Sequence, residues 1–296
     1  MHSVTLAVMM SLAAGVAQHP EPIPPLEINV PAGGIRLPMV SERGISLVEG
    51  RLNGKGPYRF YCDTGAAMAV VDAALAKKLE FDVVGKAAIM SGGDDPAKKP
   101  IAGKLVRIEQ LELGAAKLGS VTLASMDLSH LGKQGSPVGV LSAALLPGYL
   151  VTWDYPKKEV RIHAGELPAA DNKTVFNYLP GHPIPGLKIK VGDQSLDAHL
   201  DSGSDAGLLL PLKLAKSLPL YGEPVDTGKK AKSVRGAFPV YRGKLKGTCR
   251  FGEFSLTDPT VDFSDVVRNG NLGSGVLEGF TLTLDFKNRR FQLLKG

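Results

Sequence analysis

The sequence carries two copies of one pattern, and a chain built that way folds as two similar units. Each copy opens on an alternating apolar run followed by a turn. The first is Ile45-Ser46-Leu47-Val48-Glu49-Gly50-Arg51-Leu52 before Asn53-Gly54-Lys55-Gly56, and the second is Leu187-Lys188-Ile189-Lys190-Val191 before Gly192-Asp193-Gln194. Alternation predicts strands with one buried face, and Asn-Gly between such runs predicts a hairpin. The strand after each turn ends in Asp-hydroxyl-Gly: Asp63-Thr64-Gly65-Ala66 and, 138 residues later, Asp201-Ser202-Gly203-Ser204. A short helix is expected after each, ending at Ala76-Lys77-Lys78-Leu79 and at Ala215-Lys216-Ser217-Leu218, with Pro211 suited to a first helical position. The copies then diverge and match again at a spacing of 131 residues. Gly139-Val140-Leu141-Ser142 answers Gly270-Asn271-Leu272-Gly273, and residues 149–155 answer residues 280–286. Each copy closes on a basic turn and a last strand, Glu159-Val160-Arg161-Ile162 and Arg290-Phe291-Gln292-Leu293.

Two Pro-rich stretches frame the copies. Pro20, Pro22, Pro24, Pro25, Pro31 and Pro38 predict an extended linker over 18–40, and Pro180-Gly181-His182-Pro183-Ile184-Pro185-Gly186 predicts the boundary between the lobes. The apolar run from Val4 to Val16, with small residues before Gln18, reads as a signal peptide over 1–17, although no Lys or Arg precedes it. It is short for a bilayer span, and no later segment looks transmembrane. The expected division is therefore a signal peptide (1–17), a linker (18–40), an N-terminal lobe (41–165), an inter-lobe linker (166–182) and a C-terminal lobe (183–296), in an exported protein, periplasmic or secreted. With 35 Gly and 21 Pro in 296 residues the chain is turn-rich, which favours many short strands: an all-β class.

Composition excludes several function classes. The net charge of +6 is interspersed with no long run of one sign and no aromatic-lined basic stripe, so no nucleic-acid partner is expected. Two cysteines, Cys62 and Cys249, make no framework, and Cys62 reads as a buried thiol. His2, His19, His130, His163, His182 and His199 show no metal-ligand spacing, so neither metal nor cofactor is expected. His199 shares a strand face with Asp201, and Trp153 reads as core. Asp154 and Asp285 read as turn formers, and the glycines of 270–275 have no phosphate-loop spacing.

The paired Asp-hydroxyl-Gly motif carries the chemistry. Hydrolysing an amide needs a water made nucleophilic and a nitrogen protonated as it leaves, and two carboxyls sharing one proton can do both. Gly65 and Gly203 permit a tight turn with backbone N–H groups near the carboxyls, and Thr64 and Ser202 can bond across the axis between the copies. Ser204 can donate to Asp201 while Ala66 has nothing to offer Asp63. That predicts Asp201 as the ionised partner and Asp63 as the protonated one.

At these residues the chain resembles a family. Tyr58-Arg59-Phe60-Tyr61-Cys62-Asp63-Thr64-Gly65-Ala66 looks like the active-site strand of retropepsin-like aspartic proteases, bacterial exported members included, and the segments at Gly139 and Gly270 look like that family's later apolar-Gly strand. The resemblance covers roughly residues 43–163 and 183–296. It implies two tandem closed β-barrel lobes of retropepsin type, paired within one chain as in pepsin-like enzymes and hence a monomer. It implies cleavage of peptide or protein substrates by Asp63 and Asp201, supported by Thr64, Gly65, Ala66, Ser202, Gly203 and Ser204, without metal or cofactor. Ser142 departs from the family's usual second Gly. The substrate-covering flap falls in a poorly matched stretch, with Gly92 and Gly93 of one hairpin tip and Gly236 of another as candidates.

Three other readings compete. A single Asp-Thr-Gly is more often a turn than a site, and only the duplicated context favours catalysis. A subtilisin-type peptidase needs a His-Gly pair and a nucleophile segment; His182 precedes Pro183, and no elbow surrounds Ser274. A peptide-binding or sensor protein that kept the fold without turnover stays open, as does pairing of a lobe with that of another chain.

Overall fold

The computed structural model describes residues 10–11, 26–42, 44–91, 99–129, 131, 137–233 and 236–296. These are mostly strand. In the first lobe, strands Ile101–Leu113, Ala116–Met126, Val70–Asp72, Gly139–Leu141, Lys55–Cys62 and Ile45–Leu52 follow one another around a sheet. The sheet closes on itself where Arg51 and Leu52 pair with Glu112 and Leu111. The same circuit runs through the second lobe, with the long strand broken between Lys244 and Thr248. Its first segment, Gly236–Lys244, pairs with Thr260–Ser264, while its second, Thr248–Phe251, pairs with Gly186–Val191. Strands Leu208–Pro211, Gly270–Gly273 and Gln194–Asp201 complete the ring. Closure removes sheet edges that would otherwise invite pairing with other chains.

The hairpins form as their residues dictate. Asn53 and Gly54 both adopt positive φ (50° and 74°), the geometry of a two-residue hairpin turn, and Leu52 pairs with Lys55 across it. After the strand Lys55–Cys62 and the short strand Val70–Asp72, Asp72 caps the helix Ala73–Lys78 by accepting from the Ala74 and Leu75 N–H groups. The second lobe has Pro211 there instead. With no side chain to cap, the helix shrinks to the 3₁₀ turn Leu212–Lys216, and Pro211 stands before it rather than inside it.

A third sheet joins the lobes. Hairpins Tyr149–Asp154/Glu159–Ala164 and Phe280–Asp285/Arg290–Lys295 meet antiparallel, with Thr152 facing Thr283 and their hydroxyls 2.9 Å apart. These residues are 131 apart in sequence, so the pseudo-two-fold axis passes between them. Asp154 and Asp285 close the hairpin turns by accepting from the Lys157 and Asn288 N–H groups. Trp153, fully buried, donates its ring N–H to the Cys62 carbonyl at 3.2 Å and so ties this sheet to strand Lys55–Cys62.

Both expected linkers are corrected by this sheet. Ile35–Pro38 pairs with Glu159–Ala164 and Val175–Asn177 pairs with Arg290–Lys295, one at each outer edge. Glu27–Asn29 adds to Ala116–Met126. Pro38 still fits, since an edge strand tolerates a missing N–H, and apolar residues of these stretches bury: Ile35, Leu37, Leu167, Val175 and Phe176 are core. The duplication thus reaches further toward each copy's N-terminus than the lobe boundaries at 41 and 183 suggest. Of the expected signal segment, only Met10 and Ser11 are among the described residues, paired with Ser91 and Met90; the rest of 1–17 and residues 18–25 lie outside them. No helix among the described residues is long and apolar enough to cross a membrane.

Candidate active site

Strands Lys55–Cys62 and Gln194–Asp201 carry the two aspartates to the axis. Each is backed by a parallel strand from later in its own lobe, with Leu141 beside Cys62 and Gly273 beside Asp201. The Asp63 N–H donates to the Leu141 carbonyl at 3.0 Å. Beyond each aspartate the chain turns sharply and points a backbone N–H back at the carboxyl: Gly65 to Asp63 Oδ1 at 2.7 Å, Gly203 to Asp201 Oδ1 at 3.1 Å.

Thr64 and Ser202 lock the turns together reciprocally. The Thr64 N–H donates to Ser202 Oγ (3.0 Å) and the Ser202 N–H to Thr64 Oγ1 (2.9 Å). Each hydroxyl then donates across the axis, Thr64 to the Leu200 carbonyl (2.9 Å) and Ser202 to the Cys62 carbonyl (2.8 Å). Four buried bonds between residues some 138 apart fix the separation of the two strand ends.

The carboxyls meet in the space this lock leaves. A Cβ on Gly65 would sit 2.8 Å from Asp201 Oδ1 and 3.2 Å from Asp63 Oδ1, so these oxygens are no farther apart than the two distances laid end to end. Only glycine fits there. Both groups are buried, Asp63 at 1% exposure and Asp201 at 0%. Burial pushes the Asp63 carboxyl well above the usual carboxylate range, and the neighbouring Asp201 charge pushes further. Burial raises Asp201 as well, but the Asn271 amide, a hydrogen bond from Asp63 and the Gly203 N–H hold it down. Burial thus acts on both carboxyls, and the donors around Asp201 favour its charged form.

That order matches the expected one, but its cause does not. The Ser204 hydroxyl is not the donor to Asp201; it accepts from the Ala206 N–H at 3.4 Å. Asp201 Oδ2 instead receives the side-chain amide of Asn271 at 2.8 Å. Asn271 lies 70 residues downstream, and its role was hidden in the Gly270-Asn271-Leu272-Gly273 match. The available signal was that its counterpart, Val140, is apolar. Ser142, the departure from the family pattern, donates to the Ala66 carbonyl (2.5 Å) and accepts from the Ala144 N–H (3.1 Å).

Residues around the pair fall into place by the same topology. Ala66 is buried with Val140, Ala87 and Ile89. In the second lobe Ala206 packs with Ala231 and Phe238. Each Asp-hydroxyl-Gly turn is thus packed against a long hairpin, Asp82–Ser91/Ile101–Leu113 and Val225–Ser233/Gly236–Lys244. Gly236 starts the outgoing strand of the second, opposite Ser233; Gly92 and Gly93, the other two candidates, lie outside the described residues. His199 is buried and bonds through Nε2 to His182 Nδ1 at 2.8 Å, and burial, with the second ring beside it, lowers it to about 4. Cys62 and Cys249 are free and buried, and burial raises both thiols, Cys249 to about 11. Among the described residues, no three His, Cys, Asp or Glu side chains gather as metal ligands.

Comparison with known proteins agrees with this geometry. No curated protein matches the chain. A family model described as aspartyl protease matches it twice, over residues 48–145 and 187–277, once in each lobe. Together the two matches take in well over half of the sequence, and the chain belongs to the aspartyl protease family.

Proposed function

We propose that the chain is an aspartic endopeptidase in which Asp63 and Asp201 act on one water. One observation carries this reading: two buried carboxyls from two repeats, each on its own Asp-hydroxyl-Gly turn, converge on the place a Cβ of residue 65 would take. Asp201, the carboxylate, takes a proton from water as the water oxygen bonds to the substrate carbonyl carbon. Asp63 gives its proton to the carbonyl oxygen. As the tetrahedral diol collapses and the C–N bond breaks, the nitrogen takes the proton from Asp201, and one diol hydroxyl returns a proton to Asp63. The dyad ends as it began, and both transfers are made by the chain's own side chains. A single polypeptide supplies both halves of the site, so the active species is a monomer. The apolar stretch at Val4–Val16 supports export to the periplasm or medium.

A second reading, peptide binding without turnover, has one observation in its favour: the dyad is buried, so a substrate has to open a path to it. Cleavage of denatured casein separates the two. Catalysis predicts proteolysis that pepstatin blocks and that Asp63→Asn lowers by at least about 1000-fold. Wild-type protein that binds pepstatin or casein but leaves casein intact from pH 3 to 7 establishes the second reading.

A further inference from the structure

The two aspartates sit on equivalent turns, yet the strand behind each turn offers a different side chain. Behind Asp201 it offers Asn271, which pairs with His199 across a parallel ladder; behind Asp63 it offers Val140, which pairs with Tyr61 in the same register. Asn271 is 1% exposed, and its Nδ2 donates to Asp201 Oδ2 at 2.8 Å. Its Oδ1 is buried and has no hydrogen-bond partner. Val140 is fully buried against Ala66 and can donate nothing.

An unpaired buried carbonyl is destabilising, because it loses its bonds to water and gains none in the fold. Valine at the matching position in the other lobe shows that an apolar side chain fills this space without that cost. Packing alone therefore gives no reason for Asn271, and the bond to Asp201 does. The orientation of the amide follows, because the flipped form would turn Oδ1 onto a carboxylate.

We infer that Asn271 is a positioning residue that makes the dyad directional, holding Asp201 as the base and leaving the transferable proton on Asp63. With Asn271 on Oδ2 and the Gly203 N–H on Oδ1, both Asp201 oxygens accept hydrogen bonds, a pattern suited to a carboxylate. Other ionisable groups near the pair are Cys62, adjoining Asp63; His199, two residues before Asp201; Tyr155, after strand Tyr149–Asp154; and Asp205, beyond the second turn. The Asp201 oxygens take their hydrogen bonds from the Asn271 amide and the Gly203 N–H. Burial raises the Cys62 thiol and the Tyr155 hydroxyl, which stay neutral, and His199, lowered to about 4, is neutral through most of the working range. The inference rests on the peptidase reading above and adds which carboxyl does what, and why.

Asn271→Val copies the first lobe, and Asn271→Thr restores a donor on the same branched shape. In the valine variant kcat/KM should fall about 10- to 100-fold, with the acid limb of its pH profile moving up by about one unit. The threonine variant should lie between valine and wild type on both measures. Unchanged limb and rate in Asn271→Val, or equal losses in both variants with no movement of the limb, overturn the inference. A measurement independent of turnover is the carboxyl ¹³C titration of labelled aspartate. Asp201 should titrate at higher pH in the valine variant than in wild type, and an Asp201 titration that stays put overturns the proposal even if no variant, wild type included, cleaves casein. Absence of wild-type cleavage would instead strike the peptidase reading, so the two failures are distinguishable.

Discussion

Around Asp63 the neighbouring positions hold Ala66, Val140 and Ser142; around Asp201 the matching positions hold Ser204, Asn271 and Gly273. The backbone ladders are the same, down to the register of the strand behind each catalytic turn. What differs is how each lobe meets the hydrogen-bonding needs of its turn. In the second lobe the Ser204 carbonyl is satisfied by the main-chain N–H of Ser274 at 2.8 Å. In the first, the equivalent Ala66 carbonyl is satisfied by the Ser142 hydroxyl. Duplication gave the chain a symmetric frame, and single side chains then made the two acids unequal.

The harshest test of that comparison forces one lobe's solution onto the other. A Cβ on Gly273 would collide with the Ala206 carbonyl and come within 2.9 Å of the Ser204 carbonyl, both main-chain atoms that cannot swing aside. Gly273→Ser, which copies Ser142, should cost about 3 kcal/mol or more. Ser142→Gly removes two hydrogen bonds from a site that already has room, and should cost about 1 kcal/mol. Chemical denaturation of both variants checks the ratio. Equal losses would mean that the two turns are interchangeable after all.

The strand faces differ in how they respond to acid. At one position stands Tyr61; at the matching position stands His199, an imidazole that the fold buries. Folded His199 titrates near 4, below the ordinary histidine value of about 6.5. Between those values the unfolded chain binds more protons than the folded one, so stability falls as pH drops through that window, by up to about 3 kcal/mol. In His199→Gln the unfolding midpoint should fall less from pH 7 to pH 4 than in wild type. A wild-type curve no less flat than that of His199→Gln would show that His199 is not held neutral by the fold.

The dyad pulls in the opposite direction. Asp63 is raised in the folded protein, so its contribution is fully present below the ordinary carboxylate value and is lost as pH rises through the folded value. At pH 7 the buried pair opposes folding. Asp63→Asn should therefore be more stable than wild type at pH 7 by about 1–2 kcal/mol, with the gap closing as pH falls toward 3. Thermal melts across pH read this directly, and an Asp63→Asn protein less stable than wild type at pH 7 would break the argument.

What the sequence disclosed follows from range. Asp63, Asp201 and their hydroxyl and glycine neighbours are contiguous, so their turns could be read from four letters each, and the repeated pattern, at spacings of 138 and then 131 residues, announced the paired lobes. Asn271 was not legible as the Asp201 donor, because the bond depends on which strand lies behind the turn, 70 residues away. Ser204 was adjacent in sequence and so looked the better donor, but its hydroxyl faces the Ala206 N–H of its own turn. The Pro-rich stretches misled for a related reason. Proline density marks chain that cannot sit inside a sheet, and Ile35–Pro38 and Val175–Asn177 sit at its two edges, where only a few apolar residues anchor them.

The gentlest test lies on the axis itself, where the two halves are identical. Thr152 and Thr283 are the same residue in the same environment, each other's hydrogen-bond partner, and buried. Thr152→Val leaves the Thr283 hydroxyl without its partner and should cost about 1 kcal/mol. Thr283→Val should cost the same within about 0.3 kcal/mol, because the pseudo-symmetry that Asn271 and Ser142 break is intact here. Replacing both removes the orphaned hydroxyl, so the double variant should lie above the sum of the singles and close to wild type. Unequal single losses would mean that the asymmetry set up around the carboxyls reaches the inter-lobe sheet, through Trp153 and its bond to the Cys62 carbonyl next to Asp63.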